Sequence, residues 1–423
     1  MLDLKFIRQN PDLVKTAIKA KNVPLDLDEL LRRDRDVTEV RKKLQDFEQQ
    51  KNANAKQVPT VTPAERPALI KKGKKISQDI DNLKPLLAAT EARLDELLWL
   101  VPNIPSPQAP VGPSELENAE VRRWGQPAAF DFAPLDHVQL LQRHDWAEFE
   151  RIANVAGTRS YSLKGDMVLL EMALLRFAMD RLKAEKFTLI TVPSLAREFA
   201  FYGTGHFPTG RDQAYRLADD ELYLTGTAEV AVNAIHQGDS LKEGDLPILY
   251  GAFSPCFRRE AGASGKDTRG LIRVHQFLKI EQYILCKNDP AESEHWHRQL
   301  LRISEELLQA LELPYRVVDV CTGDMGAGKI RQFDLESWVP SEKKYRETHS
   351  CSSLHEWQAR RTNLRYRSNA GAMEYCHTLN NTAIATPRIL VPLLENHQRK
   401  DGSIVIPKSL RPYLGEISEL RGG

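Results

Sequence analysis

The chain reads as an α+β protein, with an antiparallel two-helix coiled-coil arm at its amino end followed by a domain built on an antiparallel β-sheet flanked by helices. Three observations predict this. Two heptad-spaced apolar stripes are separated by a proline cluster, a second proline-rich stretch follows them, and strand-like runs then alternate with amphipathic helices to the end.

Over residues 28–56, Leu30, Val37 and Leu44 fall in one column and Val40 and Phe47 in the other, the alternating four-and-three spacing of a coiled-coil seam. The seam fades at Lys51 and Asn54. It returns through Leu69, Ile76, Ile80, Leu83, Leu87, Leu94, Leu97 and Val101, interrupted by Gly73 and Thr90. Pro59, Pro63 and Pro67 lie between the stripes, removing amide donors and clashing with preceding carbonyls, so a hairpin is predicted rather than one helix. A second helix over 65–101 would be roughly 55 Å long, which predicts a protruding arm. Pro85 within it predicts a local kink at a cost of about 3 kcal/mol.

Near the predicted tip, Arg66, Lys71, Lys72, Lys74 and Lys75 put five positive charges in a stretch without an acid. Such a cluster is an electrostatic footprint for a phosphate backbone, and it equally fits the solvated flank of a coiled coil. Five prolines in 102–113 read as a semi-rigid linker. The predicted organisation is an arm over 1–103, a linker over 104–118, a main domain over 119–415 and a tail over 416–423.

In the main domain, 169–183 and 292–311 read as amphipathic helices, and 188–192, 248–253 and 315–320 as strands. The composition, 41% hydrophobic and 28% charged, lacks any apolar run near the ~20 residues of a membrane span, so no membrane partner is expected. The first residues, Met1-Leu2-Asp3-Leu4-Lys5, do not resemble a secretory signal, and a cytoplasmic location is expected. Cys256, Cys286, Cys321, Cys351 and Cys376 have no close pairing, which argues against a disulfide framework and a structural zinc site. With 59 basic and 58 acidic residues, net charge says nothing about a polyanionic partner; only local clustering does.

Neither a P-loop nor a Gly-x-Gly-x-x-Gly turn occurs, so a nucleotide site must be built differently. The most informative stretch is 257–277. An apolar strand ends in Phe257-Arg258-Arg259-Glu260, a glycine-rich turn follows, and Arg269-Gly270-Leu271-Ile272-Arg273-Val274-His275-Gln276-Phe277 leads back towards Glu281. This is a long hairpin with an arginine-dense mouth.

The hairpin resembles motif 2 of the class II aminoacyl-tRNA synthetases, and its return strand resembles the seryl enzymes in particular. The likeness extends over the whole chain, through Thr227-Ala228-Glu229, Tyr345 to Ser352, Thr378 to Thr382, Arg388 and the ending Ile406 to Leu414. It implies a class II catalytic domain that activates L-serine with ATP and Mg2+ and transfers it to the 3′ end of serine tRNA, and relatives suggest selenocysteine tRNA as well. A tRNA-binding arm and a homodimer are implied too, with each arm serving the partner's site.

In that chemistry a carboxylate attacks phosphorus, so anions must be positioned and no general base is needed. Arginine's planar fork suits carboxylate and phosphate oxygens. Arg258 is therefore expected at the α-phosphate and serine carboxylate; its alternative is a surface ion pair with Glu260. The resemblance implies Arg388 at the γ-phosphate, Phe277 stacked on adenine, and Arg259, Glu260 and Val274 around the nucleotide. It also implies that 347–350 meets ATP through Glu347, Thr348, His349 and Ser350, with Glu347 and Ser350 on Mg2+, although a histidine has no chemical task in this reaction. Around serine it places Thr227, Ala228, Glu229, Arg258, Glu281, Asn380 and Thr382, with Glu281 reading the hydroxyl.

Two departures stand out. Lys186-Phe187 replaces a common Gly-Phe before Thr191-Val192-Pro193, and Ala383 and Ala385 replace glycines frequent before Arg388. Two rival readings are a ligase that loads a carrier protein and a noncatalytic RNA-binding relative. The intact arm argues against the first. Retention of Arg258, Glu260, Glu281, Glu347 and Arg388 argues against the second.

Overall fold

In the computed structural model, which describes residues 1–262, 265, 267 and 269–422, the two apolar stripes fold as paired helices. Four positions of the motif 2 turn (Ala263, Ser264, Lys266 and Thr268) and Gly423 of the tail lie outside the described residues. The chain divides into two units, one comprising Leu2–Lys19 and Val23–Pro102, the other Met1, Ala20–Asn22 and Asn103–Gly423.

The first unit contains helices α1 (Leu4–Gln9), α2 (Pro11–Ala20), α3 (Leu27–Gln57) and α4 (Arg66–Leu98). Asp26 starts α3 by accepting from the amides of Asp28 and Glu29. Contacts at Glu29–Arg93, Arg41–Glu91 and Asn54–Leu69 run in opposite senses along α3 and α4, so the pair is antiparallel. Leu30, Val37, Ile76, Ile80, Leu94 and Leu97 form its buried seam. Helix α4 continues through Pro85. Two apparent interruptions of the pattern meet each other: buried Asn54 donates to the Leu69 carbonyl, and a Cβ at Gly73 would stand 2.9 Å from Asn54 Nδ2. Glycine at 73 makes room for that amide. All five basic residues near the tip, Arg66, Lys71, Lys72, Lys74 and Lys75, are exposed.

The second unit centres on eight strands, β1 (Ala119–Trp124), β2 (Thr188–Thr191), β3 (Ile248–Phe257), β4 (Gln276–Cys286), β5 (Tyr315–Asp319), β6 (Arg331–Val339), β7 (Lys344–His355) and β8 (His377–Thr386). Their order is β1-β5-β6-β7-β8-β4-β3-β2. Neighbours are antiparallel except β2 and β3, which run parallel at one edge. Helices α5 (Asp166–Ala184), α6 (Ala228–Ile235), α7 (Pro290–Ala310) and α8 (Leu390–Asn396) cover the sheet. Because strand side chains alternate, Ile280, Ile284, Cys351 and Leu379 enter one core with α5, α7 and α8. Tyr283 and Leu285 face the other side, towards Ala228 and Val232 of α6.

At the end of α5, Lys186 has φ +66°, Lys186 N donates to Lys183 O and Phe187 N to Leu182 O. This is a Schellman ending, in which the left-handed residue is favourably glycine. The proline-rich stretch hydrogen-bonds along the 322–330 loop, with Asn103 N donating to Ala327 O and Ser106 N to Ile330 O. All five cysteines are free and buried, and burial pushes the thiol of Cys376 up to about 12. Among the described residues no helix is long and apolar enough to cross a membrane.

Candidate active site

A cavity of about 420 Å³ opens on the sheet face opposite the α5, α7 and α8 core. Strand β4 contributes every second residue to it, Phe277, Lys279 and Glu281, as a period of two requires. The hairpin adds Arg258, Glu260 and Val274, and Arg388 approaches from beyond β8. Thr227 and Glu229 enter from the start of α6, and Asn380 and Thr382 from β8.

Arg258 lies over the Phe277 ring, 5.1 Å from its centroid, and its Nε donates to Gly226 O. Its expected alternative partner is engaged elsewhere: Glu260 pairs with Arg273 at 2.6 Å. Arg388 donates to the carbonyls of Ile272 and Glu347, and burial pulls its guanidinium below the usual value. Two cations thus line the cavity. In the same cavity the Lys279 ammonium pairs with the Glu281 carboxylate and donates to Thr227 Oγ1 at 2.7 Å. Thr227 in turn caps α6. Glu229 accepts from Gln358 at 2.7 Å, and burial pushes its carboxyl up. Burial, followed by the positive charge of Arg258, takes His206 at the cavity wall down to about 4.

Strand β7 carries a bulge. Leu335 pairs with His349 and Glu336 with Glu347, leaving Thr348 unmatched. The extra residue lets Glu347, Thr348 and Ser350 all line the cavity, although a regular strand would turn Glu347 to the far side. A second bulge leaves Ala383 of β8 unmatched against β4. His349 sits between the bulges. Its Nε2 donates to Ala383 O and its Nδ1 lies 2.9 Å from Thr348 Oγ1, while burial drives its pKa down to about 4.

Three residues expected at the site therefore lie off the cavity wall. His349 is buried behind it, Ala228 is fully buried in the first turn of α6, and Arg259 turns outward, donating to Asp212 O. Residues that sequence reasoning missed are Lys279, His206, Arg273 and the loop from Gly326 to Lys329. Lys279 was findable from its alternation with Phe277 and Glu281. The loop, more than forty residues downstream, carries no local signal.

Glu347, with its side chain half exposed, and Ser350 offer hard oxygen donors on one strand face, a set that suits Mg2+ completed by waters and phosphate oxygens. Among the described residues one group has three potential metal-ligating side chains in reach of each other, His355, Glu356 and His377. Its imidazoles stack at 4.2 Å with 10° between planes.

Residues 1–105 match the family model described as seryl-tRNA synthetase N-terminal domain, and residues 214–397 the tRNA synthetase class II core domain (G, H, P, S and T). The chain is 56% identical to a serine–tRNA ligase of Deinococcus radiodurans, over 98% of each. It is similar to the crystal structure of seryl-tRNA synthetase from Pyrococcus horikoshii complexed with ATP, with a TM-score of 0.92 and 38% identity over 100% of both chains. A cytoplasmic serine–tRNA ligase from Naegleria fowleri in complex with AMP gives 0.87 and 29%, covering 100% of this chain and 99% of that one.

Proposed function

The chain belongs to the seryl-tRNA synthetase family and is a class II aminoacyl-tRNA ligase; on that premise we propose that it joins L-serine to ATP as seryl-adenylate and passes the seryl group to the 3′-terminal adenosine of serine tRNA, and of selenocysteine tRNA as well. The observation that carries this reading is the set of side chains that line one cavity. Arg258 and Arg388 line it together with the hydrogen-bonded cluster of Thr227, Lys279 and Glu281.

A serine carboxylate oxygen bonds to the α-phosphorus of ATP as the bond to pyrophosphate breaks in line. Arg258 spans the α-phosphate and the attacking carboxylate, holding two anions that repel each other in water. Arg388 holds the γ-phosphate, so that negative charge moving onto the leaving group meets a fixed guanidinium. Phe277 stacks on adenine, with Arg258 already resting on the same ring, and Glu260 and Val274 border the base. Mg2+ would be held by Glu347 and Ser350 and would supply charge to the phosphates.

Glu281 reads the serine hydroxyl. Alanine forgoes that hydrogen bond and leaves the carboxylate with only its Lys279 and Thr227 partners, and a pocket built to bond a substrate hydroxyl rejects the analogue lacking it by ~10⁴-fold or more. Threonine is rejected by its extra methyl. In the second step a ribose hydroxyl of the tRNA terminus attacks the seryl carbonyl and AMP leaves.

We assign 1–103 as the tRNA-binding arm, with Arg66, Lys71, Lys72, Lys74 and Lys75 on phosphates, 104–118 as linker, 119–415 as catalytic domain and 416–423 as tail. The enzyme acts as a cytoplasmic homodimer. Support for the dimer comes from Val168, Leu169 and Met172 of α5 and Leu189 of edge strand β2, apolar side chains left exposed in the single chain. The test is exchange of pyrophosphate into ATP with each of the twenty amino acids. Serine-dependent exchange is expected; exchange with glycine or alanine but not serine would overturn the specificity.

A further inference from the structure

Lys21 belongs to the short segment Ala20–Asn22 that groups with the catalytic unit. Its residue is only 6% exposed, and no carboxylate partners its ammonium among the described residues. Instead Nζ donates to the carbonyls of Ala327 at 3.0 Å, Gly326 at 3.5 Å and Lys329. An ammonium has three donors, and three carbonyls of one loop use them. Asn103 holds the fourth carbonyl, Nδ2 donating to Gly328 O at 3.1 Å. Every peptide oxygen from 326 to 329 is thereby turned to a fixed donor.

The same four residues form a wall of the cavity beside Glu229. Lys329 directs its ammonium to Gln332 and acts electrostatically on the Glu229 carboxyl. The wall has no slack: a Cβ at Gly328 would stand 2.6 Å from the Trp357 ring, and one at Gly205 would clash with the same ring. A buried ammonium is costly. Desolvation, with the Lys329 charge second, takes Lys21 down to about 7. A methionine would fill this space without that cost.

We propose that Lys21 is a positioning residue for the amino-acid end of the cavity, fixing the Gly326–Lys329 wall against which serine binds. This rests on the functional reading above. It is tested by exchange kinetics on the full-length protein with K21M, which keeps the length of the side chain, and K21Q, which keeps two N–H donors.

K21M should raise the KM for serine tenfold or more, leave the KM for ATP within twofold, and melt at the wild-type temperature or above. K21Q should fall between K21M and wild type. An unchanged serine KM in K21M overturns the proposal. So does a rise in both KM values together with a lowered melting temperature, which would leave Lys21 a purely structural role. If K21M does not fold, K21Q is judged by the same criteria. Absence of serine-dependent exchange in the wild type would instead sink the functional reading, and this inference with it.

Discussion

His349 donates from Nε2 to the carbonyl of Ala383, 2.9 Å away, and so ties the unmatched residue of one strand to the neighbour of the unmatched residue in the next. Those bulges set which side chains reach the cavity. Burial disfavours the imidazolium and holds the folded pKa at about 4 against about 6.5 when unfolded, although the bond to Ala383 by itself favours the charged ring. A folded pKa below the unfolded one means stability fully present above pH ~6.5 and lost as pH falls towards ~4. Melting temperature should therefore drop across that window, and less steeply in His349→Gln, which keeps a donor but cannot titrate. Parallel slopes in the two proteins would contradict this.

Arg258 and Phe277 act as a stacked pair in the nucleotide half of the cavity. Arg258→Ala should lower the exchange kcat by ~10²- to 10³-fold, the usual cost of losing one charge-stabilising donor. Phe277→Ala should instead weaken ATP binding by ~1–3 kcal/mol, a stacking loss, with the serine KM nearly unchanged. Equal effects of both changes on kcat would rule out this division of labour.

Glu281 sits in a buried cluster with Lys279 and Thr227. Glu281→Ala should remove most of the ~10⁴-fold preference for serine over alanine, because the acceptor proposed for the serine hydroxyl is gone. Alanine-dependent exchange is the readout, and a preserved preference would assign hydroxyl reading to another residue.

For the arm, replacing Lys71, Lys72, Lys74 and Lys75 by glutamine should weaken tRNA binding and flatten its salt dependence by about one unit of slope for each phosphate no longer neutralised. Adenylate formation should be spared. Unchanged affinity at low salt would make these lysines a solvated flank.

Lys186 occupies a left-handed position that glycine fills without a Cβ clash. Lys186→Gly should stabilise the chain by about 1 kcal/mol, visible as a higher denaturant midpoint with exchange activity unchanged. A lower midpoint would show that the lysine side chain contributes more than its backbone costs.

The arm is legible in the sequence because its information is local: heptad spacing, a proline cluster and a charge run each lie within a few turns of chain. The meeting of Asn54 with Gly73 is not, since each looks like a defect until the helices are paired. In the site, Phe277 and Glu281 follow from the motif, and Lys279 lies between them in plain alternation. Glu347 and Ser350 share a face only because of the Thr348 bulge, which depends on register with a neighbouring strand. His349 and Arg259 are expected at the nucleotide because the resemblance runs through them, yet beside residues that line the cavity they point elsewhere. Lys21 and its loop are over three hundred residues apart, and only folding brings them together.

The sealed cysteines have a practical consequence. With Cys256, Cys286, Cys321, Cys351 and Cys376 each 0% exposed, a maleimide or iodoacetamide has nothing to alkylate while the fold is closed. Labelling then counts openings, and mass spectrometry of the tagged peptides would tell which part of the catalytic unit breathes first.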